Sequence, residues 1–187
     1  HKPKSVSKTG SIKEKLDGMK SLSPSAINRY IKCPLMFFYQ YVASIKEPDC
    51  EDDVVDNRMF GNIFHKSAQL IYDEIMSHNN GRIEKASIQK YLNTKGLLES
   101  IVDRAFNEEL FKVKNSMRSP YYNGLHLINR KVLIEYLRQL LHSDQRTAPF
   151  EMLALEDAVY TQIAFETEDN NVRKIRIGGI IDRLDRV

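Results

Sequence analysis

Apolar residues recur at helical spacing through most of the chain before residue 150. Ser23 is a typical helix N-cap, and Pro24 fits the first helical turn. The helix that they start should end at Cys33, because Pro34 removes a backbone hydrogen-bond donor. A second helix is predicted next, and its apolar stripe consists of Leu35, Phe38, Tyr41, Val42 and Ile45. The aromatic residues of this stripe either pack in a core or stack on exposed bases.

A longer amphipathic helix of about five turns is predicted after residue 59. Its stripe consists of Phe60, Phe64, Ala68, Ile71 and Ile75, and it ends at Asn79, Asn80 and Gly81. His65 lies on the flank of the stripe, and it is either an ordinary surface or core histidine or a functional one. Gly61, one turn earlier, lacks a side chain, so we expect it to let the start of the helix approach a strand or a phosphate closely.

Residues from about 83 to 141 are predicted to be helical, with a break between Ser116 and Gly124. One stripe contains Leu98, Ile101 or Val102, Ala105 or Phe106, and Leu110. The other contains Leu125, Ile128, Val132, Tyr136 and Leu140, reinforced by Leu133, Leu137 and Leu141. The basic residues of this region either follow a phosphate backbone or form a solvated face: Arg104, Lys112, Lys114, Arg118, Arg130, Lys131 and Arg138.

The periodicity changes to two after Phe150, which predicts strands. Met152 to Leu155 and then Val159, Thr161, Ile163 and Phe165 form one strand region, residues 166–171 a turn, and residues 172–187 the partner strand. The chain is therefore predicted to be an α/β protein of the helix-rich α+β kind. We interpret residues 1–21 as a linker or tail, residues 22–187 as one domain, and about 83–143 as a helical insertion.

Asp182 is a charged residue in a strand whose two faces both look covered. It shares one face with Ile180 and Leu184, while Ile181 lies on the other. We therefore expect a desolvated carboxylate that needs a cation, an arginine or a hydrogen-bonded network beside it. The simplest partner is a structural ion pair with Arg183 or Arg186. Glu156, at the head of the hairpin, is a second acidic residue with either a structural or a functional role.

Composition indicates a globular protein without a membrane-spanning segment. The formal net charge is +3, which is too small to indicate nucleic-acid binding by itself. Two runs of charged residues are interpreted as solvated linker and loop. The basic run at the start consists of Lys2, Lys4, Lys8, Lys13, Lys15 and Lys20. The acidic run before Gly61 consists of Glu47, Asp49, Glu51, Asp52, Asp53 and Asp56. The two cysteines, Cys33 and Cys50, form no C-x-x-C pair, which favours a reducing, cytoplasmic setting. No apolar run approaches the roughly eighteen residues that span a bilayer.

Three blocks of sequence, taken in order, resemble one known family. The first block is Ser23-Pro24-Ser25 followed by Tyr30, Cys33-Pro34 and an aromatic run. The second block is Gly61 to His65, with the pattern G-x-x-x-H. The third block is Gly179 to Asp185, with the pattern G-x-I-D-R-x-D. Their order resembles the RecB/AddB-type branch of the PD-(D/E)XK nuclease superfamily. The resemblance implies a restriction-endonuclease-like core, with His65 as the active-site histidine and Asp182 as the first metal-binding aspartate.

The resemblance also implies a metal-dependent DNA exonuclease or endonuclease of a helicase-nuclease that processes DNA ends in recombinational repair. Mg²⁺ or Mn²⁺ would be the cofactor, DNA the substrate, and a helicase subunit or a fused helicase domain the partner. Relatives often carry a Glu near the position of Glu156. Some carry an iron–sulfur cluster whose first cysteine resembles Cys33, but only Cys50 could join it here, so we expect no cluster within these residues.

The family motif continues with a strand bearing D/E-x-K, which does not occur before Val187. We therefore interpret the sequence as part of a larger protein and expect residues 1–187 to cleave DNA little and to bind metal weakly, because His65 and Asp182 supply only two ligands. The alternatives are a catalytically degenerate scaffold or nucleic-acid-binding module and, more distantly, an unrelated helical adaptor.

Overall fold

The computed structural model describes residues 7, 9–45, 55–113, 120–167 and 170–187. Its helices are α1 (Ser11–Asp17), α2 (Pro24–Lys32), α3 (Pro34–Phe37), a π-helix (Phe38–Val42), α4 (Asn57–Asn79), α5 (Lys85–Asn93), α6 (Leu97–Glu109) and α7 (Gly124–Thr147). Its strands are β1 (Ser21–Leu22), β2 (Arg82–Ile83), β3 (Phe150–Glu166) and β4 (Val172–Arg186). They form one mixed sheet in the order β1-β4-β3-β2, which confirms the α/β fold class.

The chain divides into two compact units. We call Glu51–Glu156 with Asp182–Val187 the helical unit, and His1–Cys50 with Asp157–Ile181 the hairpin unit. The boundary between them does not coincide with the predicted insertion at 83–143, and the division of residues 1–21 from 22–187 stays a prediction.

The helical unit has a core built from α4, α5, α6, α7 and the start of β3. α4 begins after Asp56, whose side chain accepts a hydrogen bond from the Met59 amide at 2.6 Å. It ends at Asn79, and Asn80 caps it in the left-handed conformation, at the place where the sequence predicted the end. The predicted stripe of α6 is confirmed, since Leu98, Val102 and Phe106 are buried.

The prediction for α7 was wrong about which apolar row faces the core. Leu133, Leu137 and Leu141 are fully buried, whereas Ile128 is 60% exposed and Tyr136 half exposed. α7 carries apolar residues on both sides, so periodicity gave two candidate faces and did not rank them.

The hairpin unit contains a small second core. The Ser23 side chain accepts a hydrogen bond from the Ala26 amide at 3.1 Å, which confirms the predicted N-cap of α2. Ala26, Phe37 and Val42 are buried. The stripe predicted after Pro34 is only partly right: Val42 belongs to it, but Ile45 is exposed. The π-helix explains the difference, since its wider turn brings residues five apart onto one face.

Residues 11–17 form a helix, although the sequence predicted a linker there. Ile12 and Leu16, one turn apart on α1, pack against the small core of the hairpin unit. Two apolar residues among lysines are too weak a signal for a helix of this length.

The predicted hairpin is confirmed, because β3 ends at Glu166, β4 begins at Val172 and the two strands are neighbours in the sheet. Within the hairpin unit, β1 runs parallel to β4, with Ser21 opposite Arg176. Gly178 is required where the two long strands meet, because a Cβ there would lie 1.9 Å from the Val159 carbonyl oxygen. Within the helical unit, β2 is antiparallel to β3, with Ile83 opposite Phe150.

Several predicted features lie outside the described residues: Lys2, Lys4, Lys8, Lys114, Arg118, Cys50, and the acidic run except Asp56. Of the remaining basic residues of the helical region, Arg104 pairs with Glu108 and Arg130 with Asp103. In the part of the chain that the structure describes, no helix combines the length and apolar character needed to cross a membrane.

Candidate metal centre

Three side chains from three elements of the helical unit converge at one point. His65 comes from α4, Glu156 from β3 and Asp182 from β4. The His65 Nδ1 atom lies 3.0 Å from Glu156 Oε1 and 4.0 Å from Asp182 Oδ1. One ligand atom from each of the three residues lies within 4.8 Å of the other two. The structure therefore brings together the histidine and the aspartate that the sequence singled out, and it adds Glu156 to them.

Glu156 owes its direction to an unusual backbone conformation. Its φ of 51° lies in the left-handed region, which a non-glycine residue in a strand seldom adopts. The conformation interrupts the regular alternation of β3, because Ala154, Leu155 and Glu156 are all half-buried. Such a residue costs on the order of 1–3 kcal/mol and often occurs at a functional site.

The prediction that Asp182 is desolvated was wrong. Its side chain is 75% exposed, as are large parts of its neighbours Ile180 and Leu184 on the same face of β4. The strand places every second residue on a face that no described element buries. Asp182 is therefore open to solvent and to ligands.

The expected structural ion pair of Asp182 was also wrong. Arg183 pairs with Asp144 and Asp185, and Arg186 pairs with Glu151. Arg183 lies on the face of β4 opposite Asp182, because successive residues of a strand alternate between faces. Arg186 has the same alternation phase as Asp182, but its guanidinium pairs with Glu151 of β3. Among the described residues, the imidazole of His65 lies 4.0 Å from the Asp182 carboxylate.

At Gly61 the predicted close approach to a strand is not found among the described residues, and the alternative approach to a phosphate stays a prediction. A Cβ placed on Gly61 would have no other atom within 4 Å, so the described residues make no close approach there. Gly61 lies inside α4 rather than at its start, since α4 begins four residues earlier at Asn57.

The donor set fits a small, hard divalent cation. It consists of two carboxylates and one imidazole, which suit Mg²⁺ and Mn²⁺. In an octahedral site with bonds of about 2.1 Å, adjacent ligands are about 3.0 Å apart and opposite ligands about 4.2 Å apart. The separations of 3.0 Å and 4.0 Å measured from His65 fall in this range. Alternatively, the His65 Nδ1–H can donate to Glu156 and leave Nε2 for a cation.

Behind β4, on the face opposite Asp182, a polar network fastens the strand to the helices. Arg183 Nη1 donates to Asp144 Oδ2 at 2.6 Å, and its Nε donates to Asp185 Oδ2 at 2.7 Å. The Tyr72 hydroxyl also donates to Asp144. The Arg183 guanidinium lies 5.1 Å from the centre of the Tyr72 ring and 5.0 Å from that of Phe150.

Sequence reasoning did not find this network. Tyr72 and Asp144 lie on helices whose sequences give no sign of a shared partner. The available signal was the D-R-x-D spacing itself, since Arg183 and Asp185 lie two residues apart and so share the face opposite Asp182.

Comparison with known proteins agrees with the motif order in the sequence. A family model described as the PD-(D/E)XK nuclease superfamily matches residues 21–187, a range that contains all three residues of the candidate centre. No curated protein matches the sequence.

Proposed function

Since the chain belongs to the PD-(D/E)XK nuclease superfamily, we propose that it is part of a metal-dependent deoxyribonuclease domain whose cation is held by His65, Asp182 and Glu156. The observation that supports this proposal is the convergence of the three side chains within 4.8 Å. They come from positions 65, 156 and 182, so the fold and not sequence proximity brings them together.

Mg²⁺ or Mn²⁺ is the proposed cofactor. A divalent cation at such a site supplies a more acidic bound water and positive charge beside the scissile phosphate. The residues of the chain do the holding and orienting. The exposed Asp182 carboxylate and the Glu156 carboxylate would offer oxygen to the cation, and His65 an imidazole nitrogen.

The proposed partners follow from the order of the motif blocks. The order of the Cys33-Pro34 block, the His65 block and the Asp182 block resembles that of RecB/AddB-type nucleases. We extend the proposal accordingly to a helicase-nuclease that degrades DNA ends during recombinational repair, with DNA as substrate and a helicase subunit or fused helicase domain as partner.

The test is a nuclease assay on the protein at its natural length. His65→Ala and Asp182→Asn should each reduce Mg²⁺-dependent degradation of linear DNA by at least about a hundredfold, because each removes a cation ligand. DNA binding in the absence of metal should change little. The matched control is His142→Ala, a substitution of a histidine on α7 that is not one of the three converging residues. Equal degradation by wild type and Asp182→Asn would refute the proposal.

A second candidate function is a catalytically degenerate scaffold or nucleic-acid-binding module. It differs from the first in lacking D/E-x-K, a motif that no lysine of these 187 residues completes, since none follows an Asp or Glu by two positions. The same assay separates the two functions. A natural-length protein that binds DNA but degrades none in Mg²⁺ or Mn²⁺ is a degenerate member.

A further inference from the structure

Arg183 follows Asp182 directly in β4, and its side chain lies on the other side of the strand. It connects the strand to two helices and to β3. One carboxylate partner, Asp144, is on α7, and the two rings that flank the guanidinium are Tyr72 of α4 and Phe150 of β3. Tyr72 lies seven residues after His65, which is two helical turns further along α4. Arg183 therefore contacts α4, the helix that carries His65.

Two members of the network are buried, and Arg183 and Asp185 are partly buried. Tyr72 is fully buried and Asp144 is 8% exposed. Burial raises the pKa of Tyr72, and the neighbouring Asp144 carboxylate raises it further. Burial alone would lower the pKa of Arg183, but hydrogen bonds to Asp185 and Asp144 outweigh burial and hold it above its ordinary value. Among the described residues, Asp185 Oδ1 is buried and accepts no hydrogen bond, so Arg183 is what compensates this carboxylate.

We propose that Arg183, held by Asp144 and Tyr72, is a positioning residue that sets the location of Asp182 relative to His65 and so determines how well the candidate centre binds a cation. This inference rests on the proposed function for its link to metal binding. The physical basis is that one guanidinium spans two carboxylates and stacks on two rings. A lysine ammonium cannot reproduce that set of contacts.

The chain contains a matched control network in the same unit. Tyr122 donates to Asp103 at 2.7 Å, Arg130 donates to Asp103 at 2.5 Å, and the Arg130 guanidinium lies 5.7 Å from the centre of the Tyr122 ring. It has the same Tyr–Asp–Arg composition, but its three residues belong to α6, to α7 and to the segment before α7. Arg130→Lys and Asp103→Asn therefore make the same chemical changes as Arg183→Lys and Asp144→Asn, but in a network that contains no residue of β4.

The experiment measures the Mn²⁺ affinity of the protein at its natural length by electron paramagnetic resonance, at a temperature where circular dichroism shows every variant folded. Arg183→Lys and Asp144→Asn should each raise the Mn²⁺ dissociation constant about tenfold, the size typical for residues that support metal ligands. Arg130→Lys and Asp103→Asn should change it less than about twofold. A second measurement, amide hydrogen exchange over residues 181–184, should show about tenfold faster exchange in Arg183→Lys but not in Arg130→Lys.

The outcomes separate the inference from the proposed function. If Asp182→Asn loses Mn²⁺ binding while Arg183→Lys and Asp144→Asn keep it, the positioning role is refuted and the metal centre stands. If substitutions in the Arg183 network and in the Arg130 network weaken Mn²⁺ binding equally, the effect is general destabilisation and the positioning role is again refuted. If wild type and Asp182→Asn bind Mn²⁺ alike, or neither binds it, the proposed function fails. Hydrogen exchange then still decides whether Arg183 fixes the strand.

Discussion

Three tyrosines of the helical unit should make the protein less stable as the pH rises above about 10. Two of them, Tyr72 and Tyr91, are buried, and Tyr122 is partly buried. Burial raises the pKa of Tyr72, Tyr91 and Tyr122, and each is raised further by an acidic neighbour, Asp144, Glu74 and Asp103 respectively. Each tyrosine therefore keeps its proton in the folded state at a pH where the unfolded chain, with a tyrosine pKa of about 10, has released it. A raised folded-state pKa contributes stability that is complete below the unfolded value and is lost above it.

The size of the effect follows from linkage. At pH 11 a tyrosine that stays protonated only in the folded state lowers the free energy of unfolding by about 1.4 kcal/mol, and three such residues lower it by about 4 kcal/mol. This is a large fraction of the roughly 5–15 kcal/mol that stabilises an ordinary domain.

The assay is urea denaturation of wild type and Tyr72→Phe at pH 8, 9.5 and 11. At pH 8 the variant should be less stable by about 2 kcal/mol, because the Tyr72 hydroxyl no longer donates to the Asp144 carboxylate. At pH 11 this difference in the free energy of unfolding should shrink by about 1.4 kcal/mol. The reason is that ionisation of Tyr72 in the unfolded chain destabilises wild type, whereas the phenylalanine of the variant cannot ionise. Effects of other groups act on both proteins and cancel in the difference. A gap that stays constant from pH 8 to pH 11 would show that Tyr72 does not retain its proton.

Further substitutions test the packing, with stability measured by urea denaturation. Gly178→Ala should destabilise the protein by about 2–3 kcal/mol, because a Cβ there overlaps backbone atoms of β3. Gly61→Ala should stabilise it by about 0.5–1 kcal/mol, because Gly61 lies in an open position of a helix. Equal effects of the two substitutions would contradict the close fit of β3 and β4 at Gly178. Leu133→Ala should cost about 2–5 kcal/mol and Ile128→Ala less than about 1 kcal/mol, and the reverse order would mean that α7 buries its other face. Ser23→Ala should cost about 1 kcal/mol through the lost cap of α2, and no loss would show that the cap is dispensable.

The elements that the sequence predicted well have strong local signals. α4 has a long apolar period and a terminal Asn-Gly pair, and both ends of α2 carry a capping residue or a proline. The hairpin was predicted because its period of two persists on both sides of a polar turn. Such signals depend only on residues close together in the chain, so they can be read without knowing the tertiary fold.

The features that the sequence did not predict depend on tertiary contacts. The exposure of Asp182 depends on whether another element covers its face of β4, and the face that α7 buries depends on what packs against it. The left-handed backbone conformation at position 156 could not be predicted, because the residue there is Glu and not the glycine or asparagine that usually adopts it. Its contact with His65 joins residues 91 positions apart. The proximity of His65 and Asp182 was expected from the family resemblance, and no local pattern implied it.

The opposite orientation of Asp182 and Arg183 in β4 makes this strand sensitive to a change of register. Deleting one residue upstream, for example Ile180, would move Arg183 to the side facing His65 and turn Leu184 toward Asp144. The acid would leave the centre, a base would replace it, and the helices would lose their anchor in the same event. We therefore expect a one-residue deletion here to be more damaging than any single substitution in the strand.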